Sequence, residues 1–149
     1  MGVEENKEVV RRFVDEVFNK GDFSVIPDLI SPDYLMNAPA GKIEGQEGVK
    51  EYVAMVRRAF PDLNITIEEM AGEGDTVAVR LKWEGTFAGR FMDYEPTRRR
   101  VSMKEALFHR FADGRQLEVI PYYADQPTLL QQMGITPTNQ RDWEVKEDV

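Results

Sequence analysis

The sequence predicts an α+β domain in which N-terminal helices cover one face of a curved antiparallel sheet. Apolar residues recur every three or four positions as far as Pro61, which is typical of amphipathic helices. Beyond Pro61 they alternate with polar residues, and β-branched and aromatic side chains increase, which indicates strands. Helices followed by a run of strands favour the α+β class. Because a curled sheet with helices across its mouth leaves space between the layers, we expect an internal pocket.

Two helices are predicted near the start of the chain. The first covers residues 4–20, where apolar side chains recur at helical spacing until Gly21 ends the helix. A second, shorter helix fits residues 22–30, with Pro27 in its first turn, where a missing backbone N–H is tolerated. We expect the apolar faces of both helices to pack on the sheet.

The next part of the chain is predicted to contain a loop and a third helix. Residues 34–45 are interpreted as mostly loop. The third helix runs from about Gln46 to Phe60, where apolar residues form a stripe, and Pro61 ends it. The change from helical to strand periodicity therefore falls immediately after this proline.

The second half of the chain is predicted to form four strands and a last helix. The strand segments are LNITIEEM (63–70), TVAVRLKWEGTF (76–87), RVSMKEALFHRF (100–111) and QLEVIPYY (116–123). The last helix covers residues 125–134, with Asp125 as its N-cap and Gly134 at its end. We expect a single domain over residues 1–137 and a polar tail over residues 138–149.

Charge and composition exclude several classes of partner and site. The formal net charge is -8, which repels phosphate backbones and anionic lipid surfaces, so neither nucleic acid nor a membrane is expected as a partner. The start of the chain has no apolar signal region, and we expect a cytoplasmic protein. The sequence has no Cys and one His, which excludes thiolate metal sites and disfavours zinc ligation by histidines.

Glu105 is the charged residue that most strongly suggests chemistry. It shares a strand face with the apolar residues Met103, Leu107 and Phe111, and also with His109. A carboxyl group on such a face loses hydration, which raises its pKa towards neutrality and suits a general acid or base. The alternative is that this face lies at a sheet edge or at a dimer interface.

The other polar candidates have strong structural interpretations. His109 lies roughly 13 Å along the strand from Glu105 and is more typical of a hydrogen-bonded structural or surface residue. Asp125 is better explained as a helix cap than as a catalytic residue. Tyr122 and Tyr123 point to opposite faces, so one of them should present its hydroxyl to the pocket.

Three further residues are candidates for the pocket mouth. They are Tyr34, Asn37 and Trp83. Aromatic residues at these spacings are also common in plain cores, so a packing role is the alternative for the two aromatic rings.

The order of the elements resembles the SnoaL-like polyketide cyclase family, within the nuclear-transport-factor-two-like fold. The phrases that carry the resemblance are EGQEGVKEYVAMVRRAFPDLNITIEEMAGEGDTVAVR, GTFAGRFMDYEPTRRRV, HRFADGR and DQPTLLQQMG. The resemblance implies a cone-shaped homodimer subunit with an apolar pocket. It also implies ring closure by intramolecular aldol condensation without cofactor or metal, with an acid/base Asp on the last strand.

The sequence departs from that family pattern at the catalytic positions. The position of the cyclase Asp falls on Tyr122 when the comparison is anchored on DQPTLLQQMG. It falls on Pro121 when the comparison is anchored on the ADG turn. A Gln and a His of the cyclases fall on Glu105 and Leu107, and the His of related members falls on Phe87. We therefore take Glu105 as the remaining carboxyl candidate, with Tyr122 as a possible hydrogen-bond donor and Phe87 and Leu107 as pocket-lining residues.

Three functions follow as hypotheses. The first is a cofactor-free isomerase, cyclase or lyase that enolises an apolar small molecule, and the second is a non-catalytic binding protein for such a molecule. The third is epoxide hydration, as in the distantly related limonene epoxide hydrolase. For that reaction, Lys82 and Glu84 copy the spacing of a basic and an acidic residue on one strand, with Asp125 as a third member.

Overall fold

The computed structural model describes residues 2–38, 41–124 and 126–135, with the backbone alone for residues 38, 122–124 and 126–128. Asp125 and the proposed tail over residues 138–149 lie outside the described residues. In the described part of the chain, no helix is long and apolar enough to cross a membrane.

Helices and strands follow the predicted order with one additional hairpin. The elements are α1 (Val3–Arg12), a π-helix (Phe13–Asn19), a 3-10 helix (Phe23–Val25), α2 (Ile26–Leu29), β1 (Ile30–Ala38), β2 (Gly41–Glu44), α3 (Gly45–Ala59), β3 (Asn64–Glu73), β4 (Thr76–Thr86), β5 (Arg100–Ala112), β6 (Arg115–Ala124) and α4 (Gln126–Gln132). The predicted first helix is therefore continuous but changes to π-helical geometry at Phe13.

The strands form one curved, unclosed sheet in the order β2-β1-β6-β5-β4-β3. Four of the five neighbouring pairs are antiparallel, and three of these join predicted strands, but β1 runs parallel to β6. The mixed sheet arises because β1 belongs to the N-terminal half of the chain and joins the sheet beside its last strand. The α+β class with helices over a curved sheet is confirmed.

The prediction of a loop over residues 34–45 is wrong. This segment contributes most of the antiparallel hairpin of β1 and β2, in which Leu35 faces Glu44 and Met36 faces Ile43. The Pro and Gly residues in this part of the sequence are typical of loops and hid the alternation on either side of them. The hairpin carries Tyr34 and Met36, which form part of the pocket wall.

The core lies between the helices and the inner face of the sheet. Alternation along β4 buries Val77, Val79 and Leu81, and alternation along β5 buries Leu107 and His109. The predicted inward face of β5 is therefore confirmed. Burial of large apolar side chains contributes about 1.5–3 kcal/mol each, so this layer supplies much of the folding free energy.

Two side chains fix the helical layer to the sheet edge. The Asn19 amide donates to the Ile65 carbonyl oxygen (2.9 Å) and accepts from the Ile65 N–H (2.7 Å). Arg57 on α3 donates through Nη1 to the carbonyl oxygens of Phe18 (2.6 Å) and Asn19 (2.9 Å). These contacts satisfy carbonyl groups at the end of the π-helix and hold it over β3.

The connection between β4 and β5 packs against the end of α3. The backbone N–H groups of Ala88 and Gly89 donate to the Ala59 carbonyl oxygen at 2.9 and 3.0 Å. A Cβ atom at Gly89 would overlap the carbonyl group of Arg58, so only glycine allows this close approach.

We expect Gly89→Ala to lower the free energy of unfolding by at least about 1–3 kcal/mol, because the added methyl group must displace backbone atoms. The matched control is Gly48→Ala within α3, where the new Cβ would lie 3.5 Å from Ile43. That change should be neutral or stabilising by up to about 1 kcal/mol through helix propensity. Urea denaturation measures both, and equal effects would contradict the close approach.

Candidate functional site

A cavity opens between the helical layer and the inner face of the sheet. Its empty volume is about 550 Å³, which includes space at its open mouth. The lining residues are Phe13, Val14, Phe18, Tyr34, Met36, Ile43, Val49, Tyr52, Val53, Ile65, Leu81, Trp83, Glu105, Leu107, His109 and Val119. Most of these side chains are hydrocarbon, so the cavity suits an apolar ligand.

Glu105 is the carboxylate-bearing residue in this lining. It lies on the inner face of β5, and Nε1 of Trp83 on β4 donates to its Oε1 at 3.1 Å. Burial raises the pKa of Glu105 to about 7, while the hydrogen bond from Trp83 lowers it in part. The carboxyl group therefore populates both protonation states near neutral pH, as a general acid or base requires.

Two phenols share the cavity with this carboxyl group. Tyr34 comes from β1 and Tyr52 from α3. Burial raises the pKa of both phenols above the usual value, and the negative charge of Glu105 raises each further, with Tyr52 also contributing at Tyr34. Both hydroxyls therefore stay protonated at neutral pH and can act as hydrogen-bond donors. The Tyr34 hydroxyl donates to Met36 Sδ at 3.8 Å, and a thioether sulfur is a weak acceptor.

Aromatic packing fixes the direction of the indole N–H. The Phe18 ring contacts the Trp83 ring edge-to-face with centroids 5.4 Å apart, and it also contacts Phe13 at 5.2 Å and Tyr52 at 6.4 Å. Such pairs favour defined ring orientations. The π-helix that carries Phe13 and Phe18 thus contributes to positioning Glu105 through Trp83.

His109 is buried, with 3 % of its surface exposed, and it lines the same cavity. Its Nδ1 lies 3.0 Å from Oε1 of Gln116 on β6. Burial lowers its pKa to about 4, against a smaller opposing effect of the Gln116 contact, so the ring is neutral at pH 7. The surface interpretation of His109 is therefore wrong, and its ring contacts Gln116 inside the protein.

The remaining predicted site residues divide into two groups. Tyr34, Trp83 and Leu107 line the cavity as expected. Asn37 does not: it is exposed, because alternation along β1 turns it away from the inward side of Tyr34 and Met36. Tyr52 also lines the cavity but is not among the predicted site residues, because its position in the apolar stripe of α3 is typical of a packing residue.

Phe87 also lies outside the cavity lining. It is fully buried at the end of β4, where its ring packs against Phe60 with centroids 5.8 Å apart. The chain leaves the sheet at this point and turns towards α3, so the residue belongs to the core and not to the pocket wall.

Strand β6 explains why the family Asp position was ambiguous by one residue. Leu117 and Tyr122 have no partner on β5, because the pairing register shifts at both positions. Pro121 is paired with the inward-facing Leu107, so no carboxylate occupies that place. The side chain of Tyr122 and all of Asp125 lie outside the described residues.

The pair proposed for epoxide hydration faces away from the cavity. Lys82 Nζ lies 3.9 Å from Glu84 Oε1, and neither residue belongs to the lining, which takes Trp83 from between them. Strand alternation places the two charged side chains on the outer face. This hypothesis therefore loses two of its three residues.

No cluster of three or more His, Asp or Glu side chains that could hold a metal ion occurs among the residues that the structure describes.

A sequence profile of the SnoaL-like polyketide cyclases matches residues 8–133. The chain belongs to this family. The match runs from the second half of α1 to the end of α4, so the cavity described above is the cavity of a SnoaL-like domain. A search of curated proteins finds no match.

Solved structures share the fold over most of the chain. AclR from Streptomyces galilaeus, provisionally assigned as a hydroxylase, is 28% identical with a TM-score of 0.77, covering 92% of this chain and 89% of its own. IdmH from Streptomyces antibioticus, provisionally assigned as a polyketide cyclase, is 28% identical with a TM-score of 0.73, covering 87% and 98%. A SnoaL-like protein from Jannaschia sp. CCS1, with a provisional cyclase assignment, is 24% identical with a TM-score of 0.81, covering 91% and 95%.

Replacement of Glu105 by Gln should change how stability depends on pH. The pKa of Glu105 is about 7 in the folded protein against 4.5 as its ordinary value, so the unfolded chain loses this proton first as pH rises. Wild-type stability should fall between pH 4.5 and 7 by about 3 kcal/mol relative to Glu105→Gln. Urea denaturation between pH 4 and 8 measures this difference.

The control for this experiment is Glu73→Gln, since Glu73 is exposed at the end of β3. Subtracting the effect of Glu73→Gln leaves the part of the change that belongs to the buried carboxyl group. A difference between Glu105→Gln and wild type that stays constant with pH would show that Glu105 titrates as a hydrated carboxylate.

Proposed function

We propose that this protein is a cofactor-independent cyclase or isomerase that acts on an apolar small molecule carrying a carbonyl group, with Glu105 as the proton-transfer residue. The observation that carries the proposal is the placement of one carboxyl group, with a pKa of about 7, in a cavity whose walls are otherwise mostly hydrocarbon. A base with a pKa near the working pH combines a useful ionised fraction with sufficient proton affinity.

The proposed step is enolisation. The Glu105 carboxylate takes a proton from the carbon next to the carbonyl group, and the electron pair of that C–H bond forms the C=C bond of an enolate. The negative charge moves to the carbonyl oxygen, where a phenol O–H of Tyr34 or Tyr52 stabilises it by donating a hydrogen bond. Where a C=C bond is conjugated with the enolate, the Glu105 carboxylic acid returns the proton to the far carbon of that bond, which isomerises the substrate. In ring closure the enolate carbon attacks a second carbonyl carbon, the π electrons of that C=O bond move to its oxygen, and the Glu105 carboxylic acid protonates the resulting alkoxide.

Trp83 supports this role as a positioning residue. Its N–H occupies one carboxylate oxygen of Glu105, which fixes the carboxyl group and leaves the other oxygen for the substrate proton. Tyr122, on the neighbouring strand β6, is kept in the proposal as a further hydrogen-bond donor, and Asp125 as a helix cap rather than a catalytic group.

The second candidate function is ligand binding without turnover. It is favoured by Pro121, which stands opposite Leu107 where the family resemblance leads us to expect an acidic residue nearby. An apolar cavity retains its affinity for an apolar ligand with or without a catalytic base. The two functions differ in what Glu105 contributes.

Proton exchange on a simple enolisable ketone tests the proposal. 2-Tetralone is incubated with the protein in D₂O, and loss of the signal of the protons next to its carbonyl group is followed by NMR. We expect exchange above the buffer rate that increases with pH around an inflection near 7, as Glu105 ionises. Glu105→Gln should reduce the protein-dependent rate by roughly 10²–10⁴.

Glu73→Gln serves as the matched control and should keep the wild-type exchange rate. Undiminished exchange by Glu105→Gln would remove Glu105 from the mechanism. If wild-type protein and Glu105→Gln both bind 2-tetralone saturably but neither exchanges its protons, the result supports ligand binding without turnover.

We also propose that the protein is a homodimer that pairs through the outer face of the sheet. Ala78, Phe108 and Ile120 face one another across β4, β5 and β6, and Phe108 is 39 % exposed. An exposed aromatic ring in such an apolar row is typical of an interface. Charged neighbours of both signs, Arg110 and Glu118, border the row and suit a self-complementary contact.

Phe108→Lys should convert the dimer to a monomer, because it places a charge in the centre of the apolar row. Met92→Lys is the control, since Met92 is also exposed but lies outside the sheet, in the connection between β4 and β5. Sedimentation velocity measures both variants. A monomeric wild-type protein at about 100 µM, or a dimer unaffected by Phe108→Lys, would contradict this interface.

A further inference from the structure

A second polar feature of the cavity is not used by the proposed chemistry. His109 occupies the inner face of β5 four residues beyond Glu105, which corresponds to roughly 13 Å along the strand. Its Nε2 atom is buried and has no hydrogen-bond partner among the described residues. A buried polar atom without a partner is unfavourable and is uncommon in folded proteins.

Gln116 determines which proton the imidazole ring carries. The Gln116 side chain is fully buried, and its carbonyl oxygen Oε1 faces His109 Nδ1 at 3.0 Å. In this orientation of the Gln116 amide, the carbonyl oxygen can only accept a hydrogen bond, so Nδ1 carries the proton and Nε2 presents a lone pair. The amide nitrogen of Gln116 is likewise without a hydrogen-bond partner among the described residues. Burial keeps the ring neutral, so this arrangement holds over the physiological pH range.

We propose that Nε2 of His109 accepts a hydrogen bond from a hydroxyl group of the bound molecule, so that the cavity selects apolar compounds that carry an alcohol or a phenol. Among uncharged ligand groups, a hydroxyl can donate this hydrogen bond, whereas a ketone or ether oxygen cannot. The inference rests on the proposed function only in treating the cavity as the ligand site.

The polar groups of the cavity are complementary in character. The phenols of Tyr34 and Tyr52 offer hydrogen-bond donors, which suit a carbonyl oxygen. At His109, the ring offers an acceptor, which suits a hydroxyl. A molecule that satisfies both kinds of group carries a carbonyl group and a hydroxyl group on an apolar body.

Paired probes test the selection for a hydroxyl group. 2-Naphthol and 2-methoxynaphthalene share one aromatic body, but only the first can donate a hydrogen bond, and the fluorescence of both allows titration. At pH 6 we expect wild-type protein to bind 2-naphthol about tenfold more tightly, as one buried hydrogen bond allows. Failure of 2-naphthol to bind, or equal affinity for the two probes, would overturn the proposal.

The matched variant combines His109→Phe with Gln116→Leu. Removing both partners of the buried pair avoids leaving Gln116 without its hydrogen bond, so the protein should fold. We expect the double variant to bind both naphthalenes with similar affinity, and a retained preference for 2-naphthol would count against His109 as the acceptor.

The histidine itself gives a readout that does not depend on a variant. The sequence contains one His, so ¹⁵N-labelled histidine yields a single pair of ring nitrogen signals. We expect a protonated Nδ1 and an unprotonated Nε2 whose signal shifts on addition of 2-naphthol but not of 2-methoxynaphthalene. A proton on Nε2 in the free protein, or an identical response to both probes, would refute the assignment.

The same titrations with Glu105→Gln separate this inference from the proposed catalytic role. That variant should lose proton exchange on 2-tetralone while it keeps the preference for 2-naphthol. If the preference disappears with Glu105→Gln, the hydroxyl group is recognised by the carboxylate and not by His109.

Discussion

Strand β5 places a carboxyl group inside an apolar interior, and the other features of the cavity depend on this constraint. Side chains alternate along a strand, so the burial of Leu107 and His109 requires Glu105 to face the same way. The loss of hydration makes its ionised form costly, which raises its pKa to about 7. An ionisable group buried at such a cost in free energy is unusual in a region whose only role is packing.

The residues around Glu105 reduce the free-energy cost of ionising its carboxyl group but do not remove that cost. The indole N–H of Trp83 stabilises the ionised form, and aromatic contacts from the π-helix hold the indole in place. No cationic side chain lines the cavity in the described part of the chain, so the carboxyl group keeps an affinity for protons near neutrality. The helical layer is held by Asn19 and Arg57, so the position of Trp83 depends on contacts far from it in sequence.

The chain has the SnoaL-like fold, and polar groups from distant elements line its mostly apolar cavity. Glu105, Tyr34 and Tyr52 converge from β5, β1 and α3, and His109 and Gln116 form a second polar pair on β5 and β6. The bulges in β6 shift its register at Leu117 and Tyr122, so Pro121 is the residue paired with Leu107. Hydrogen-bonding side chains thus lie at several places around a mostly apolar cavity.

The sequence alone determined the α+β class, the four helical segments, the four antiparallel strands and the inward face of β5, because helical and strand periodicities are local properties of the chain. It missed the β1–β2 hairpin, where turn residues interrupt the alternation, and it misplaced Asn37 and Phe87. Only the tertiary structure decided that β1 pairs with β6, that Tyr52 joins the cavity and that Gln116 contacts His109 Nδ1. These features depend on contacts between distant segments, whose geometry no local pattern of residues encodes.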